Sequence, residues 1–279
     1  MYEQYTVPSP DYTTLDAVFL ALKEDTNNTN NIEITLTDPT LTYRVSTDLG
    51  HVRDDTDLGI GMLLDFNHQR TVRIQGQGAT LNCGVRILSG TVILNDLTIK
   101  NNGRSNLGNG LFCQSASVHL NNCCITKSKI GVWCYVDSKV QLTNSKVIQN
   151  KETGVAIYFA TCHLSGSTVH SNGKHGIVCS GPQAHCVCDA CSIQHHTETG
   201  VWCLQQASTV LNGSDIGYNN DGISVDGGRV TRNDCNVHDN TCNIYQDDGA
   251  TIEETGTAAC GGNVPSSMGE KTKTMKGTN

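Results

Sequence analysis

Residues 131–180 read GVWCYVDSKV QLTNSKVIQN KETGVAIYFA TCHLSGSTVH SNGKHGIVCS, and the stretch repeats itself. Gly131-Val132 returns as Gly154-Val155 and again as Gly176-Ile177, Val147 returns as Val169, and Asn150 returns as Asn172. A unit of this length cannot bury its apolar face alone, so successive units must stack. Outward from here the Gly-aliphatic pair recurs at Gly110-Leu111, Gly200-Val201 and Gly222-Ile223, every 21 to 24 residues. A second landmark runs Ile99, Ile125, Val147, Val169, Ile193, Ile216, Val237. Three residues after each comes Asn102, Ser128, Asn150, Asn172, His196, Asn219 and Asn240.

Further columns emerge on stepping back from that landmark. Two residues earlier stand Leu97, Cys123, Ser145, Ser167, Cys191, Ser214, Cys235. Five earlier stand Leu94, Leu120, Leu142, Leu164, Cys188, Leu211, Arg232, and seven earlier Val92, Val118, Val140, Cys162, Cys186, Thr209, Val230. The spacing within a repeat alternates as strands do and shows no helical period, so each repeat holds three short strands. The expected fold is all-β: a single-stranded parallel β-helix, a solenoid of about 22 residues per coil, each coil stacked ~4.8 Å above the last. Gly at the corner before the first strand is expected to supply a left-handed or otherwise strained backbone that a Cβ would penalise. Asn243, in the Gly slot of a seventh coil, fits the same role because Asn tolerates that conformation. The Asn column is expected to form a hydrogen-bonded ladder along the axis.

Thr13-Thr14-Leu15-Asp16 resembles a capping box, and Leu15, Val18, Phe19 and Leu22 follow at helical spacing. Residues 1–70 are therefore expected to form an N-terminal capping helix and irregular first coils carrying Ile32, Ile34 and Leu36, with a polar loop around Arg53–Asp57. The coils proper occupy 71–250, and 251–279 form a C-terminal cap and flexible polar tail.

The chain has 279 residues, 28 Gly, 5 Pro, 16% charged residues and only 5% aromatic ones. Such a composition is that of an ordered protein whose core is built from small aliphatic and sulfur side chains. A net charge of −8 without clustered basic motifs argues against nucleic acid as a partner. No run approaches the ~18 apolar residues of a membrane span, which leads to the expectation of a soluble protein and no membrane partner. Met1 to Tyr12 show no secretory signal pattern, so a cytoplasmic or other reducing compartment is expected.

Ten of the 14 cysteines fall in inward columns: Cys113, Cys123, Cys134, Cys162, Cys179, Cys186, Cys188, Cys191, Cys203 and Cys235. Free Cys there acts as a small hydrophobe. Cys186-Val-Cys188-x-x-Cys191 with His185, His195 and His196 has the donors of a zinc site, but the inward columns already account for the three thiols. The expectation is no metal, no cofactor and no nucleophilic cysteine.

The first and third residues after each corner Gly point inward, so the second and fourth point out. These outward positions carry Phe112, Trp133, Trp202 and Tyr245 in one column, and Tyr135, Tyr158, Asp226 and Asp247 in the other. An outward aromatic wall suits a sugar or a protein anchor, making Phe112, Trp133, Tyr135, Tyr158, Trp202 and Tyr245 the candidate ligand-binding residues. Asp226 and Asp247, one strand apart, have the spacing of a retaining glycosidase pair and are the candidate catalytic residues. Arg232, in the inward Leu column, either ends the regular core or pairs with a buried acid.

Gly131-Val-Trp-Cys-Tyr, Gly154-Val-Ala-Ile-Tyr-Phe and Asn172-Gly-Lys-His-Gly-Ile-Val resemble the right-handed β-helix repeats of the carbohydrate-binding and sugar-hydrolase type, including those of F-box substrate-recognition subunits. The resemblance spans residues 72 to 250 and implies right-handed coiling of the pectate-lyase-like kind. Families of this kind hold both polysaccharide-cleaving enzymes and binding scaffolds. No F-box stands in this chain, nor the paired Asp beside His and Arg of pectin-cleaving enzymes. The leading expectation is a non-catalytic scaffold holding a glycan or protein partner along the aromatic wall. The alternatives are a polysaccharide-active enzyme using Asp226 and Asp247, and a structural protein of a virion or appendage, in which such solenoids form a homo-oligomer.

Overall fold

The computed structural model describes residues 2–24, 30–43, 61–64, 70–101, 108–247 and 249–256. Each coil contributes one strand to each of three parallel sheets. In the coil that begins at Gly131, these are Val132–Tyr135, Lys139–Thr143 and Lys146–Ile148. Among the described residues the first sheet has nine strands, the second eleven and the third nine, every neighbour parallel and one coil away in sequence. The result is a right-handed parallel β-helix of about eight coils.

The columns read from the sequence are the columns of the structure. Val92, Val118, Val140, Cys162, Cys186, Thr209 and Val230 stand opposite one another in the second sheet, and Ile99 through Val237 do so in the third. These side chains and the ten inward thiols are buried in one continuous core. A parallel stack keeps like over like, so each column needs residues of one size along its length.

The polar column is a ladder. Asn150 Oδ1 accepts from the Ser128 backbone N–H (3.0 Å), Asn172 Oδ1 from that of Asn150 (3.0 Å), Asn219 Oδ1 from that of His196 (2.9 Å), and Asn240 Oδ1 from that of Asn219 (2.8 Å). Each amide thus satisfies a backbone donor one coil earlier that the strand pattern leaves over at the corner. His196 substitutes within the ladder. Its Nδ1 accepts from the Asn172 N–H (3.2 Å), which puts the ring proton on Nε2, donating to the Val169 carbonyl (3.1 Å). Asn102 lies outside the described residues.

The corner glycines have a different cause from the expected one. None of Gly110, Gly131, Gly154, Gly176, Gly200 and Gly222 is in left-handed backbone. What requires Gly is space: a Cβ on Gly154 would lie 2.6 Å from Asn172 Nδ2 and 2.7 Å from the Gly176 carbonyl oxygen. Asn243 fills the Gly slot at the C-terminal coil, and its Oδ1 accepts from the Asn240 N–H (3.2 Å), doing what the next coil's Asn does elsewhere. Left-handed residues turn other corners. Asp96, Asn122, Asn144, Gly166, Ala190, Gly213 and Asp234, between the second and third sheets, have φ of +50° to +56°.

The N-terminal helix, Leu15–Glu24, buries Leu15, Val18, Phe19 and Leu22, and Thr14 Oγ1 caps it by accepting from the Ala17 N–H at 3.2 Å. A strand the sequence did not announce, Tyr2–Val7, precedes it and pairs in parallel with Asn31–Leu36. The Arg53–Asp57 loop lies outside the described residues. At the other end the second sheet continues past residue 250 as Thr251–Thr255, clasped by Arg229–Glu253 (2.6 Å) and Arg232–Glu254 (2.5 Å). Arg232, itself buried in the Leu column, pairs with the exposed Glu254 of the last strand and not with a buried acid, and its place there reflects the end of the regular core. The tail from 257 onward lies outside the described residues.

Two outcomes follow for stability. Gly154→Ala forces overpacking against backbone and ladder, and should lower the stability measured by urea unfolding by ~1–3 kcal/mol. Burial pushes His196 down to about 4. Because its folded value lies below the unfolded one, stability is full above ~6.5 and declines as pH falls toward 4, by roughly 3 kcal/mol for this one group. His196→Asn restores the amide of the neighbouring coils, so its unfolding midpoint should fall less between pH 6.5 and 4 than that of the wild type.

Candidate functional site

The outward face of the first sheet collects the aromatic residues into two stations. At the first, Trp133 lies edge-on to Phe112 (ring centres 5.6 Å, 87°), to Tyr135 (6.1 Å, 71°) and to Tyr158 (6.2 Å, 64°). Edge-to-face contacts of this kind hold rings in fixed orientation beyond what area burial supplies. Phe112 departs from the expectation of a solvent-facing ring. It points outward but is buried, with Trp133 against it and the Arg86 guanidinium 5.6 Å from its ring centre. It supports the station and does not form its surface. Trp133, Tyr135 and Tyr158 are half-buried, and Phe159, next round the corner, is exposed beside them.

The second station is Trp202. The His175 ring lies 5.0 Å from it, held by Glu198 at 3.2 Å from His175 Nε2. Burial lowers the His175 pKa, against the opposing pull of Glu198. Neither station is pinned by all its polar atoms: Trp133 Nε1 and His175 Nδ1 have no hydrogen-bond partner among the described residues. In strand register Trp133 is followed by Ala156, Val178 and Trp202, so the stations stand three strand spacings apart, ~14 Å, across a floor of small buried side chains. The aromatic wall is thus two ringed stations with a low floor between them.

Tyr245 stands alone beyond Ser224 and is exposed. Asp226 ends the strand Asp221–Asp226, while Asp247 follows Gln246, the last residue of its strand, with its N–H donating to the Val225 carbonyl at 3.0 Å. Both carboxylates are exposed on the same face, Asp226 on the strand next to that of Trp202, two residues past the Ser224 that stands opposite Trp202, and Asp247 one coil further. The sequence phase located Trp133, Tyr135, Tyr158 and Trp202 on this face. It did not locate His175, which belongs to the corner before the strand and folds back over the next coil.

The thiols lie on the other side of the sheets. Burial pushes Cys113 up to about 12 and Cys123 up to about 11, where neither is a nucleophile at neutral pH. Cys186 and Cys188 are buried with their sulfurs 3.8 Å apart. Of the described cysteines only Cys124 and Cys242 are not buried. With Cys260 replaced by Ser, a thiol reagent added to the native protein should therefore label Cys124 and Cys242 quickly and the remaining thiols only on unfolding.

The family model described as "Right handed beta helix region" matches residues 64–187 and 131–264. No curated protein matches the sequence. Among solved structures, the chain is similar to a mannuronan C-5 epimerase A-module of Azotobacter vinelandii, with 14% identity, 90% of this chain and 88% of that one covered, and a TM-score of 0.57. It is also similar to a periplasmic alginate epimerase (10% identity, 83% and 70% covered, TM-score 0.54). A third is the enzymatically active domain of tailspike protein 2 of bacteriophage CBA120 (13% identity, 92% and 43% covered, TM-score 0.55). At these identities the likeness is one of fold. Among the described residues no helix is long and apolar enough to cross a membrane.

Proposed function

The chain belongs to the right-handed β-helix family, and from that premise we propose that it is a non-catalytic scaffold that binds a polysaccharide across the two aromatic stations of its first sheet. The observation that carries this reading is the pair of ringed sites, Trp133 with Tyr135 and Tyr158, and Trp202 with His175, ~14 Å apart over a floor made by Ala156 and Val178. Sugars present flat C–H faces that pack on aromatic rings, and an extended chain can touch both stations at once. Two weak sites on one rigid support then act together, since the second contact is made at high effective concentration. The structural relatives whose names carry polysaccharide substrates, the mannuronan and alginate epimerases, support a glycan over a protein partner.

The enzymatic alternative keeps Asp226 and Asp247, which share one end of the same face. The virion or appendage reading draws on the tailspike likeness. A reducing compartment remains the proposal for location, in keeping with a core of unpaired thiols.

A panel of polysaccharides titrated against the tryptophan fluorescence of the full chain tests the proposal. At least one polysaccharide should quench or shift the emission, and Trp133→Ala and Trp202→Ala should each weaken that binding about tenfold, ~1.4 kcal/mol. Emission unchanged by every member, or affinity indifferent to both substitutions, would refute it. Release of reducing ends by wild type that Asp226→Asn abolishes would transfer the function to the carboxylates.

A further inference from the structure

Charge is segregated along the third sheet. At its N-terminal half the outward positions and the following corner carry Lys100, Lys127, Lys146 and Lys151. Lys127, Lys146 and Lys151 are exposed, Lys100 half-buried, and none has an ion-pair partner among the described residues. Cys124 stands opposite Lys146, Thr126 stands opposite Lys100, and both ammonium groups act on the Cys124 thiol, which places them on either side of it over three successive coils. The neighbouring corner column behaves differently. Lys129, Glu152, Lys174, Glu198 and Asp221 follow one another coil by coil, linked by backbone hydrogen bonds, and Lys174 pairs with Glu152 at 3.5 Å. That column mixes the two signs, two lysines with three carboxylates; the four lysines beside it form no ion pair among the described residues, in a chain whose net charge is −8.

Further along the same sheet the character changes. His170, His195, Tyr218 and His238 form a continuous run of ring contacts over four coils, tilted between His170 and His195 (4.7 Å, 53°), stacked between His195 and Tyr218 (4.9 Å, 6°) and edge-on between Tyr218 and His238 (5.4 Å, 88°). His195 and Tyr218 are parallel within 6°, so their facing sides are taken up by each other and their edges are what solvent meets. Around Tyr218 and His238 the surface is acidic and rich in hydrogen-bonding groups. His238 lies between Asp215 (3.0 Å) and Asp239 (2.8 Å), and Asp215 also accepts from Asn236 (2.8 Å) and Gln194.

We infer that the outward face of the third sheet is a second ligand track, independent of the aromatic stations, and that its ligand is an anionic polysaccharide whose acidic groups lie over Lys100, Lys127, Lys146 and Lys151. Unpartnered lysines on a net acidic protein concentrate polyanions by local field, whatever the overall charge. The far end of the track decides between polyanions. A nucleic acid carries a phosphate at every unit and would bring some of them onto Asp215 and Asp239. A glycan with acidic groups on only part of its length presents hydroxyls there, and hydroxyls donate to carboxylates. The stacked rings contribute hydrogen-bonding edges, which suits hydroxyl recognition and not base stacking.

The test is binding of the full chain to polygalacturonate, to neutral dextran and to a single-stranded oligodeoxynucleotide at 50 and 200 mM NaCl. Polygalacturonate should bind, and its affinity should fall about tenfold or more across that salt range as counterions are released. The surface variant Lys100→Gln/Lys127→Gln/Lys146→Gln should lose about tenfold or more at 50 mM salt, while Lys139→Gln, at an exposed position of the second sheet, should retain wild-type affinity for polygalacturonate. No binding of polygalacturonate, salt-independent binding, an unaffected triple variant, or tighter binding of the oligodeoxynucleotide would each overturn the inference. Trp133→Ala separates the two faces: if it, and not the lysine variant, loses polygalacturonate, the ligand lies on the aromatic stations and this track is refuted, whereas loss through the lysine variant supports this track and leaves the aromatic stations to their own titration.

Discussion

Stacking coils ~4.8 Å apart in parallel is the constraint on which the rest of this molecule depends. At that spacing every residue meets its counterpart in the coils before and after, so a side chain is selected by a column and not by a local environment. The inward columns answer with near-uniform aliphatic and thiol rows: Val118 over Val140, Leu120 over Leu142, Cys162 over Cys186. Thiols suit such rows because they occupy a small volume and their weak S–H groups are served by backbone carbonyls, as Cys123 is by the Leu94 carbonyl at 3.3 Å. The corner is where stacking is tightest. There the Asn amide must reach the preceding coil's backbone, and that reach leaves no room for a Cβ on the adjacent Gly.

The same constraint explains what the sequence disclosed. A column repeats in the sequence because it repeats in space, so the strand phases, the inward thiols and the Asn ladder were all legible from spacing alone. Corner Gly and corner Asn were legible as a pattern but not as a cause. Left-handed backbone and a steric floor both select Gly, and only coordinates show that Gly154 meets Asn172 and Gly176. The left-handed corners themselves were hidden because that column mixes Asp96, Asn122, Ala190 and Gly213, which share a backbone conformation and no chemistry. Tyr2–Val7 and Thr251–Thr255 escaped for the opposite reason. Each lies at an end of the stack, where a strand has one neighbour and its sequence owes the repeat little.

Outward positions obey a weaker rule, and this limits how far a site can be read from sequence. Alternation placed Trp133, Tyr135, Tyr158 and Trp202 on one face correctly. Exposure on that face depends on neighbouring side chains of unlike size: Phe112 is buried beneath Trp133, while Tyr245, with Ser224 before it, is open. His175 reaches Trp202 from a corner of the previous coil, a relation that crosses columns and leaves no periodic trace.

Freedom from the column rule is also what makes the outer faces available for recognition. A core position that changed character would disturb its counterparts above and below, whereas an outward one disturbs only solvent and its nearest rings. Differences between coils therefore accumulate outside: two aromatic stations with a small-residue floor on the first sheet, lysines giving way to stacked imidazoles and then to carboxylates on the third. On the proposed reading a linear polymer suits such an arrangement, because its successive units would advance along the axis and meet a different coil at each step. The rigid ladder inside keeps the coils at fixed intervals, so the outward groups stand at spacings that no single coil could supply.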